Sequence, residues 1–327
     1  MGRFCRVGLS IAILMSAGTI GRSRDDPPGE VADAAQTERH ELRYRFAPDE
    51  TVRWNVEHRA RVTTTVLGNT QTAETLSKSI KVWRVVEVTP DGQTTFEHRV
   101  DSVDMRQNVT GREEVRYNSL ADAAPPPGFE QAAQSVGVAL ATITIDARGK
   151  VLVRRGSAAA LADGERQITV PLPEEAIAVG ESWSFPYEID IRLPSKEVKK
   201  ISTRQRFTLD EVAGGVATIA VVTQILTPVS DPAIEAQLVQ RTSQGKVRFD
   251  IAAGRVIDQQ MDVDKQVVNF NGEGSSMHYV ARFQELLLAN EVDRAAKPAP
   301  RKTVQTPTTP GPDRRAARTN KPGTRRR

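Results

Sequence analysis

The sequence predicts a mainly β protein with long, curved antiparallel sheets, shaped as a half-barrel or a barrel, in two related halves with one short helix each. The first observation is alternation. Across residues 52–66 the even positions suit an interior and nearly all odd positions suit water. Residues 183–193 also alternate, with the apolar side chains at the odd positions. A period of two is typical of strands that bury one face. Because strands of 10–15 residues must twist and coil, we expect a curved sheet.

The second observation is a turn motif that occurs twice, at residues 143–152 and 247–257. In each, an apolar strand ends in Asp, a turn containing Gly follows, and the next strand begins on a basic residue. Glycine supplies the positive φ that a tight hairpin requires. A Trp-bearing strand and a hairpin precede each motif, so we interpret the chain as a duplication with halves 41–160 and 168–291. The alternative is two unrelated stretches of β meander.

The turn residues divide both halves into hairpins. Breaks at Gly68, Gly92 and Gly214-Gly215 predict strands over residues 52–66, 75–88, 93–105, 200–212 and 216–226, with a last strand over 276–287. Pro186 predicts an edge position for its strand, since proline cannot donate to a sheet ladder. Helices are predicted over residues 129–136 and 232–240. Asp231 followed by Pro232 is a helix start, with an N-cap and proline at the first helical position.

Residues 1–24 have the features of a secretory signal peptide. A start with two arginines precedes an apolar stretch of about fourteen residues, which is short for a membrane span. The only cysteine, Cys5, lies in this segment, so the mature protein is predicted to contain no disulfide. We expect an exported protein, periplasmic or extracellular in a bacterium. Residues 25–40 are predicted to form a disordered leader to a β-rich domain over 41–291.

Residues 292–327 are predicted to form a disordered basic tail, because they contain almost no large apolar residue. Residues 294–327 carry a net charge of +10 and residues 1–24 carry +4; since the whole chain is +4, −10 is left for residues 25–293. Expected partners of the tail are anionic lipid, wall polymers or extracellular nucleic acid. Self-association with the acidic body, or a solubilising role without a partner, are the alternatives. The candidate polyanion-binding residues are Arg314, Arg315, Arg318, Lys321, Arg325, Arg326 and Arg327.

Two histidines are candidate metal ligands, because His58 and His98 both share the predicted inner face of a strand with apolar neighbours. The alternative, which we favour, is that each is a structural histidine hydrogen-bonded within the sheet, since the spacing suggests no third ligand. We therefore predict no metal and no cofactor. The chain has no nucleophile elbow, no P-loop and no dinucleotide fingerprint. We expect no enzyme, although sequence-distant acids could still form a hydrolase site.

Residues 42–46 with 52–54, 179–183, and 245–250 with Gly254-Arg255 resemble a family of secreted bacterial proteins called domain of unknown function 6263, common in planctomycete-type genomes. The resemblance covers about residues 41–290. It implies a bacterial source, export and a β-rich fold, and it brings no catalytic residues.

Three functions follow from these features. The favoured one is a non-catalytic binding or carrier module for an apolar or lipid-like ligand, held in the curved sheet. The second is a structural or adaptor protein held on polyanionic surfaces by its tail, and the third is a hydrolase. Trp54 and Trp183, which begin the first strand of each half, either line a cavity or fill the core.

Overall fold

The computed structural model describes residues 38–156, 168–193 and 195–289. The predicted signal peptide, nearly all of the leader, and the basic tail with its seven candidate residues lie outside the described residues. The last residues assigned to the leader differ from the expectation, because Arg39–His40 form a short strand.

Strands dominate the described residues, with two short α-helices and one 3₁₀ turn. The helices are α1 (Glu130–Ser135) and α2 (Pro232–Leu238), and the 3₁₀ turn Val239–Arg241 follows α2. The strands are β1 (Arg39–His40), β2 (Thr51–Val66), β3 (Asn69–Val88), β4 (Thr94–Val109), β5 (Val115–Asn118), β6 (Ala139–Ile145), β7 (Val151–Gly156), β8 (Ile177–Ala178), β9 (Ser182–Arg192), β10 (Val198–Ala213), β11 (Val216–Ile225), β12 (Gln244–Asp250), β13 (Arg255–Val268) and β14 (Ser276–Leu287).

One antiparallel sheet of 12 strands contains all strands except β1 and β8, which pair with each other. Its order is β7-β6-β4-β3-β2-β14-β13-β12-β11-β10-β9, and β5 pairs with β4. The end strands β7 and β9 do not pair with each other within the described residues, so this sheet is not closed. The predicted mainly β fold class is confirmed, and of the two predicted shapes the sheet has the open one and not the closed barrel. Pro186 lies on the edge strand β9, as predicted.

Both halves run across the sheet in the same order. The first is β2, β3, β4, α1, β6 and β7, and the second is β9, β10, β11, α2, β12 and β13. The two halves meet where β14 pairs with β2 along the whole length of β14. The duplication itself stays a prediction, because the strand order describes topology and not ancestry.

Local signals placed several element boundaries, although β3 begins at Asn69, six residues before its predicted start, and β4 ends at Val109, four residues after its predicted end. The last strand covers the predicted residues, and α2 begins where the Asp-Pro pair predicts: the Asp231 carboxylate accepts a hydrogen bond of 2.8 Å from the backbone N–H of Ala233. The helix changes to a 3₁₀ turn after Leu238, two residues before its predicted end. Two short pairings were missed, β5 with β4 and β1 with β8, because strands of two to four residues leave no measurable alternation.

The core lies on one face of the sheet, called here the inner face, which carries Trp54, Trp83, Phe96, Phe207 and Phe249. These side chains form one cluster although β4 and β10 are far apart in the strand order. The sheet therefore curves, as long twisted strands require. The indole N–H of Trp54 shows this directly, since it crosses β14 to donate to the Val256 carbonyl at 3.2 Å.

Residues 42–46, called here the crossing segment, are hydrogen-bonded to both of the repeated turns. The backbone N–H of Tyr44 donates to Ala147 at 2.7 Å, and that of Arg45 donates to Gly254 at 3.0 Å. Gly149 has a φ of 80°, and a Cβ there would lie 2.5 Å from the Tyr44 ring. Gly254 has a φ of 63°, and its Cβ would lie 2.6 Å from the Arg45 backbone nitrogen. Both turns thus require glycine for conformation and for close approach.

Candidate functional site

A buried ion pair interrupts the apolar inner face. The Lys81 ammonium on β3 contacts the Glu285 carboxylate on β14, across the intervening strand β2, and their side chains are 13% and 5% exposed. The amide of Gln259 on β13 donates to the second oxygen of Glu285 at 3.0 Å. Removing two charges from water is costly, and these contacts offset that cost.

Two indole rings hold the same ammonium. The Lys81 nitrogen lies 4.4 Å from the ring centre of Trp54 and 4.8 Å from that of Trp83. The two rings meet edge to face at 4.8 Å, and Trp83 stacks on Phe96 at 4.2 Å. Cation–π attraction is strongest where water is excluded, and Trp54 and Trp83 are almost fully buried. The Lys81 ammonium is thus a fixed positive charge in an aromatic setting on the inner face.

A small cavity adjoins the ion pair. Trp54, Trp83, Lys81, Glu285 and Tyr44 are among the residues that line its volume of about 20 Å³. This volume holds one water molecule and excludes a larger ligand. Lining a cavity and filling the core were predicted as alternatives for Trp54, and its side chain does both. Trp183 packs against the core, and its indole donates to the Pro171 carbonyl at 2.7 Å.

Tyr44 of the crossing segment is neutral at this cavity. Burial raises the pKa of its hydroxyl above the usual range, and the negative charge of Glu285 raises it further. The hydroxyl donates to the Val170 carbonyl at 3.2 Å. It also accepts from the Val170 N–H at 3.0 Å, and this bond lowers the pKa by less than burial raises it. A second ion pair between Arg255 and Glu50, at 2.5 Å, joins β13 to the start of β2.

His98 lies on the inner face beside two cations. It is opposite Trp83 on β3 and Ala141 on β6. Burial lowers the pKa of His98 to about 4, and the charges of Lys81 and Arg154 lower it in the same direction. The imidazole is therefore neutral at pH 7. Its Nδ1 atom has no hydrogen-bond partner in the described part of the chain.

The register does not bring the two candidate histidines together. His98 on β4 is level with Trp83 and Val52, whereas His58 on β2 is level with Ser77 and Met105. At about 3.3 Å per residue, the six positions between Val52 and His58 separate the two rings by roughly 20 Å along the strands. One ion could not bind both. In the described ranges, no group of three or more His, Cys, Asp or Glu side chains is arranged to hold a metal ion.

The buried ion pair was not predicted from the sequence, although a signal was present. Lys81 is in phase with Trp83, and Glu285 is in phase with Phe283 and Leu287, so each is a charge at an inward position of an alternating strand. Alternation alone identifies such positions one strand at a time. Pairing them required knowledge that β14 lies beside β2.

Past the ion pair, the inner face has a stretch of only half-buried side chains, called here its open part. One register row crosses five neighbouring strands with half-buried side chains: Met105 on β4, Ser77 on β3, His58 on β2, Phe283 on β14 and Met261 on β13. The outer face carries exposed ion pairs instead, such as Arg282 with Asp262 at 2.6 Å. The two faces of the sheet therefore present different chemistry.

None of the helices in the described residues has the length and apolar character needed to cross a membrane. No protein-family model matches the chain, and the search of curated proteins found no match. The family resemblance seen in the sequence therefore stays a prediction. A solved structure concerned with lipid–protein interactions in lipovitellin is similar, with a TM-score of 0.42 and 10% identity over 75% of this chain. The match spans 26% of the lipovitellin chain.

Proposed function

We propose that the protein is a non-catalytic binding module that holds an apolar or lipid-like ligand on the open part of its inner face. The observation that carries this proposal is the half-buried row of Met105, Phe283 and Met261. Val56 and Val62 of β2 extend it on both sides. Methionine side chains are flexible and polarisable, so they adapt to ligands of irregular shape.

The ligand would lie along the sheet and not inside the packed core. The closed end of the inner face is filled by aromatic and aliphatic side chains, and the cavity beside Lys81 is too small for a lipid. Only the register row next to the ion pair is partly covered, because Val263, Tyr279 and Ala281 further along the strands are buried again in a separate cluster. Burying apolar ligand surface there would contribute roughly 25 cal/mol per Å².

The proposed setting is the bacterial envelope or the extracellular space. It rests on the signal-like features of residues 1–24 and on the resemblance to the secreted family of unknown function. Within that setting the protein would carry or present its ligand, with no reaction assigned to it.

The test measures binding of Nile red, a neutral apolar fluorophore, by the purified full-length mature chain. We expect Phe283→Glu to weaken binding by about tenfold or more, because a charge in the row would have to be desolvated. Val280→Glu is the matched control, since Val280 lies on the outer face of the same strand and is 37% exposed. Equal binding by both variants, or no binding by the wild type, would overturn the proposal. Organic extraction of protein purified gently from its host would identify the natural ligand.

The charge distribution favours a second candidate, an adaptor held on polyanionic surfaces by residues 294–327. That segment carries +10, against −10 for residues 25–293. Such attachment is mainly electrostatic and weakens with salt. We expect deletion of residues 295–327 to abolish salt-sensitive retention on vesicles that contain anionic lipid. Unchanged retention after the deletion would exclude this candidate.

A further inference from the structure

The turn between β2 and β3 exposes a strained apolar residue to water. Its two central residues are Leu67 and Gly68, with φ angles of 49° and 78°. Positive φ at both positions is the geometry of a type I′ hairpin turn, which prefers asparagine followed by glycine. A leucine disfavours this conformation, and the Leu67 side chain is 90% exposed. The other non-glycine residues with positive φ in the described ranges are all polar: Asp49, Lys196 and Asn269. Neither turn geometry nor core packing therefore accounts for a leucine at this position.

This turn projects past the last paired residues of both neighbouring strands. Pairing of β2 with β14 ends at Thr65, and pairing of β3 with β4 ends at Ala73. The turn between β13 and β14 lies at the same end of the sheet, because Ser276 of β14 is opposite both Thr65 and Val268. Val268 is 57% exposed. This end of the sheet, called here the tip and formed by residues 66–69 and 268–272, thus presents two exposed apolar side chains.

The tip carries no charged side chain. Asp, Glu, Lys and Arg make up 26% of the chain, yet none occurs in residues 62–73 or in residues 266–272. At that frequency, these two stretches together would contain about five. The charges that border them are Arg61 and Glu74, which pair at 3.4 Å, and Lys265 and Glu273. The tip is therefore an uncharged end on a charged molecule.

Polar groups at this end of the sheet hydrogen-bond to one another. The hydroxyls of Thr65 and Thr70 pair across the hairpin at 2.8 Å. In the second turn, the Asn269 N–H donates to the Ser275 carbonyl at 2.6 Å, and the Asn269 side-chain oxygen accepts from the Gly274 N–H at 3.1 Å. Polar groups that are already paired cost less to remove from water than unpaired ones. The tip can therefore enter a less polar medium at low cost.

We propose that the tip docks on the surface of a lipid bilayer, with the Leu67 side chain inserted at the boundary between headgroups and acyl chains. An exposed apolar side chain gains free energy when it leaves water. A protein partner fits less well, since stable interfaces use roughly 20–30 residues a side and the tip offers far fewer. The inference goes beyond the proposed function, because Leu67 lies nine positions along the chain from His58 of the ligand row, roughly 30 Å.

One inserted leucine gives weak and reversible attachment. Burial of its side chain is equivalent to roughly tenfold to a hundredfold in partitioning. Such attachment suits a carrier that must leave the membrane again with its ligand. Because no charge takes part, it should persist in salt, whereas attachment by the basic tail should not.

The experiment measures flotation of the full-length mature chain with phosphatidylcholine vesicles in about 0.5 M sodium chloride, which screens the tail. We expect Leu67→Asn to lower the partition coefficient by at least about tenfold. Asparagine adopts positive φ more readily than leucine, so this variant should also unfold at a higher urea concentration than the wild type. Loss of vesicle binding by a more stable protein would separate docking from misfolding.

Leu120→Asn is the matched control, because Leu120 is 81% exposed and lies away from the tip. Its neighbour Ser119 donates to the Val103 carbonyl, and Val103 is opposite Ser79, which is nine positions from Thr70, roughly 30 Å. We expect Leu120→Asn to bind vesicles as the wild type does. Equal binding by both variants, or no binding by the wild type, would overturn the docking site, and Nile red binding would still test the proposed function separately. Self-association that Leu67→Asn removes, without vesicle binding, would show that the tip contacts a second copy and would also overturn it.

Discussion

At the scale of single residues, the inner face combines a hydrophobic core with fixed charges. Lys81 and Glu285 are far more buried than the pairs on the outer face, such as Lys200 with Glu188, whose side chains are 66% and 51% exposed. A buried pair is tolerated only while both partners are present, since either charge alone would be uncompensated. An exposed pair contributes little, because water screens it.

Replacing Lys81 by methionine should therefore lower the free energy of unfolding by about 3–5 kcal/mol, because Glu285 is left without its counterion. The double variant Lys81→Met, Glu285→Leu should be less destabilised than Lys81→Met alone. Urea unfolding monitored by tryptophan fluorescence measures both. Lys200→Met is the control and should change stability by less than about 1 kcal/mol. If Lys81→Met lowered the free energy of unfolding no more than Lys200→Met does, this account of the ion pair would be contradicted.

His98 should make stability depend on pH in a defined window. Its pKa is about 4 in the folded chain, against 6.5 for a histidine in water. The unfolded chain therefore binds the proton first as the pH falls. The contribution of neutral His98 to stability is fully present above about pH 6.5 and is lost between about pH 6.5 and pH 4. Since one pKa unit corresponds to about 1.4 kcal/mol, the loss from this group is about 3 kcal/mol. We expect His98→Gln to remove that part of the slope in urea unfolding at several pH values; a slope equal to wild type would show that His98 does not titrate there.

At the scale of elements, the two repeated turns both form backbone hydrogen bonds with the crossing segment. Each turn is held by its own aspartate, since the Asp146 carboxylate accepts from the Arg148 N–H at 2.9 Å and that of Asp250 accepts from the Ala253 N–H at 2.8 Å. The recurrence of Asp and Gly in the sequence thus has a physical cause in the fold. The two turns differ by one residue in length, but each binds the crossing segment through a backbone carbonyl, that of Ala147 in the first and that of Gly254 in the second.

Gly254→Ala should be more destabilising than Gly215→Ala by at least about 1 kcal/mol. Both positions have positive φ, 63° and 79°, so both variants have a comparable backbone strain. Only at Gly254 would the added methyl meet the Arg45 backbone, whereas nothing lies within 4 Å at Gly215. Urea unfolding of the two variants measures the difference. Equal losses would show that the crossing segment moves away without cost.

At the scale of the whole sheet, the contact between β14 and β2 joins the halves. It places Glu285 beside the first half, where Lys81 needs it, and it covers the edge of β2. Neither half has a complete inner face alone, because the core cluster draws on strands from both. The inner face used in the proposed function is thus a property of the joined sheet.

A fragment of residues 38–156 should therefore not fold as a stable monomer, in contrast to residues 38–289. It would leave Lys81 uncompensated and expose the β2 edge, and open edges promote association. Near-ultraviolet circular dichroism and sedimentation velocity measure packing and association. A monomeric fragment with a cooperative unfolding transition would show that the first half folds independently.

The amino-acid sequence by itself determined most of the long strands, the turns and the start of α2. These depend on neighbours within a few residues: alternation along residues 52–66, glycine at Gly149 and Gly254, and the Asp231 cap. The tertiary structure decided which strands lie side by side, and with them the ion pair of Lys81 and Glu285, which are 204 residues apart. Local hydrogen bonding and sterics act through adjacent residues, whereas distant strands are selected by the surface that the whole sheet buries.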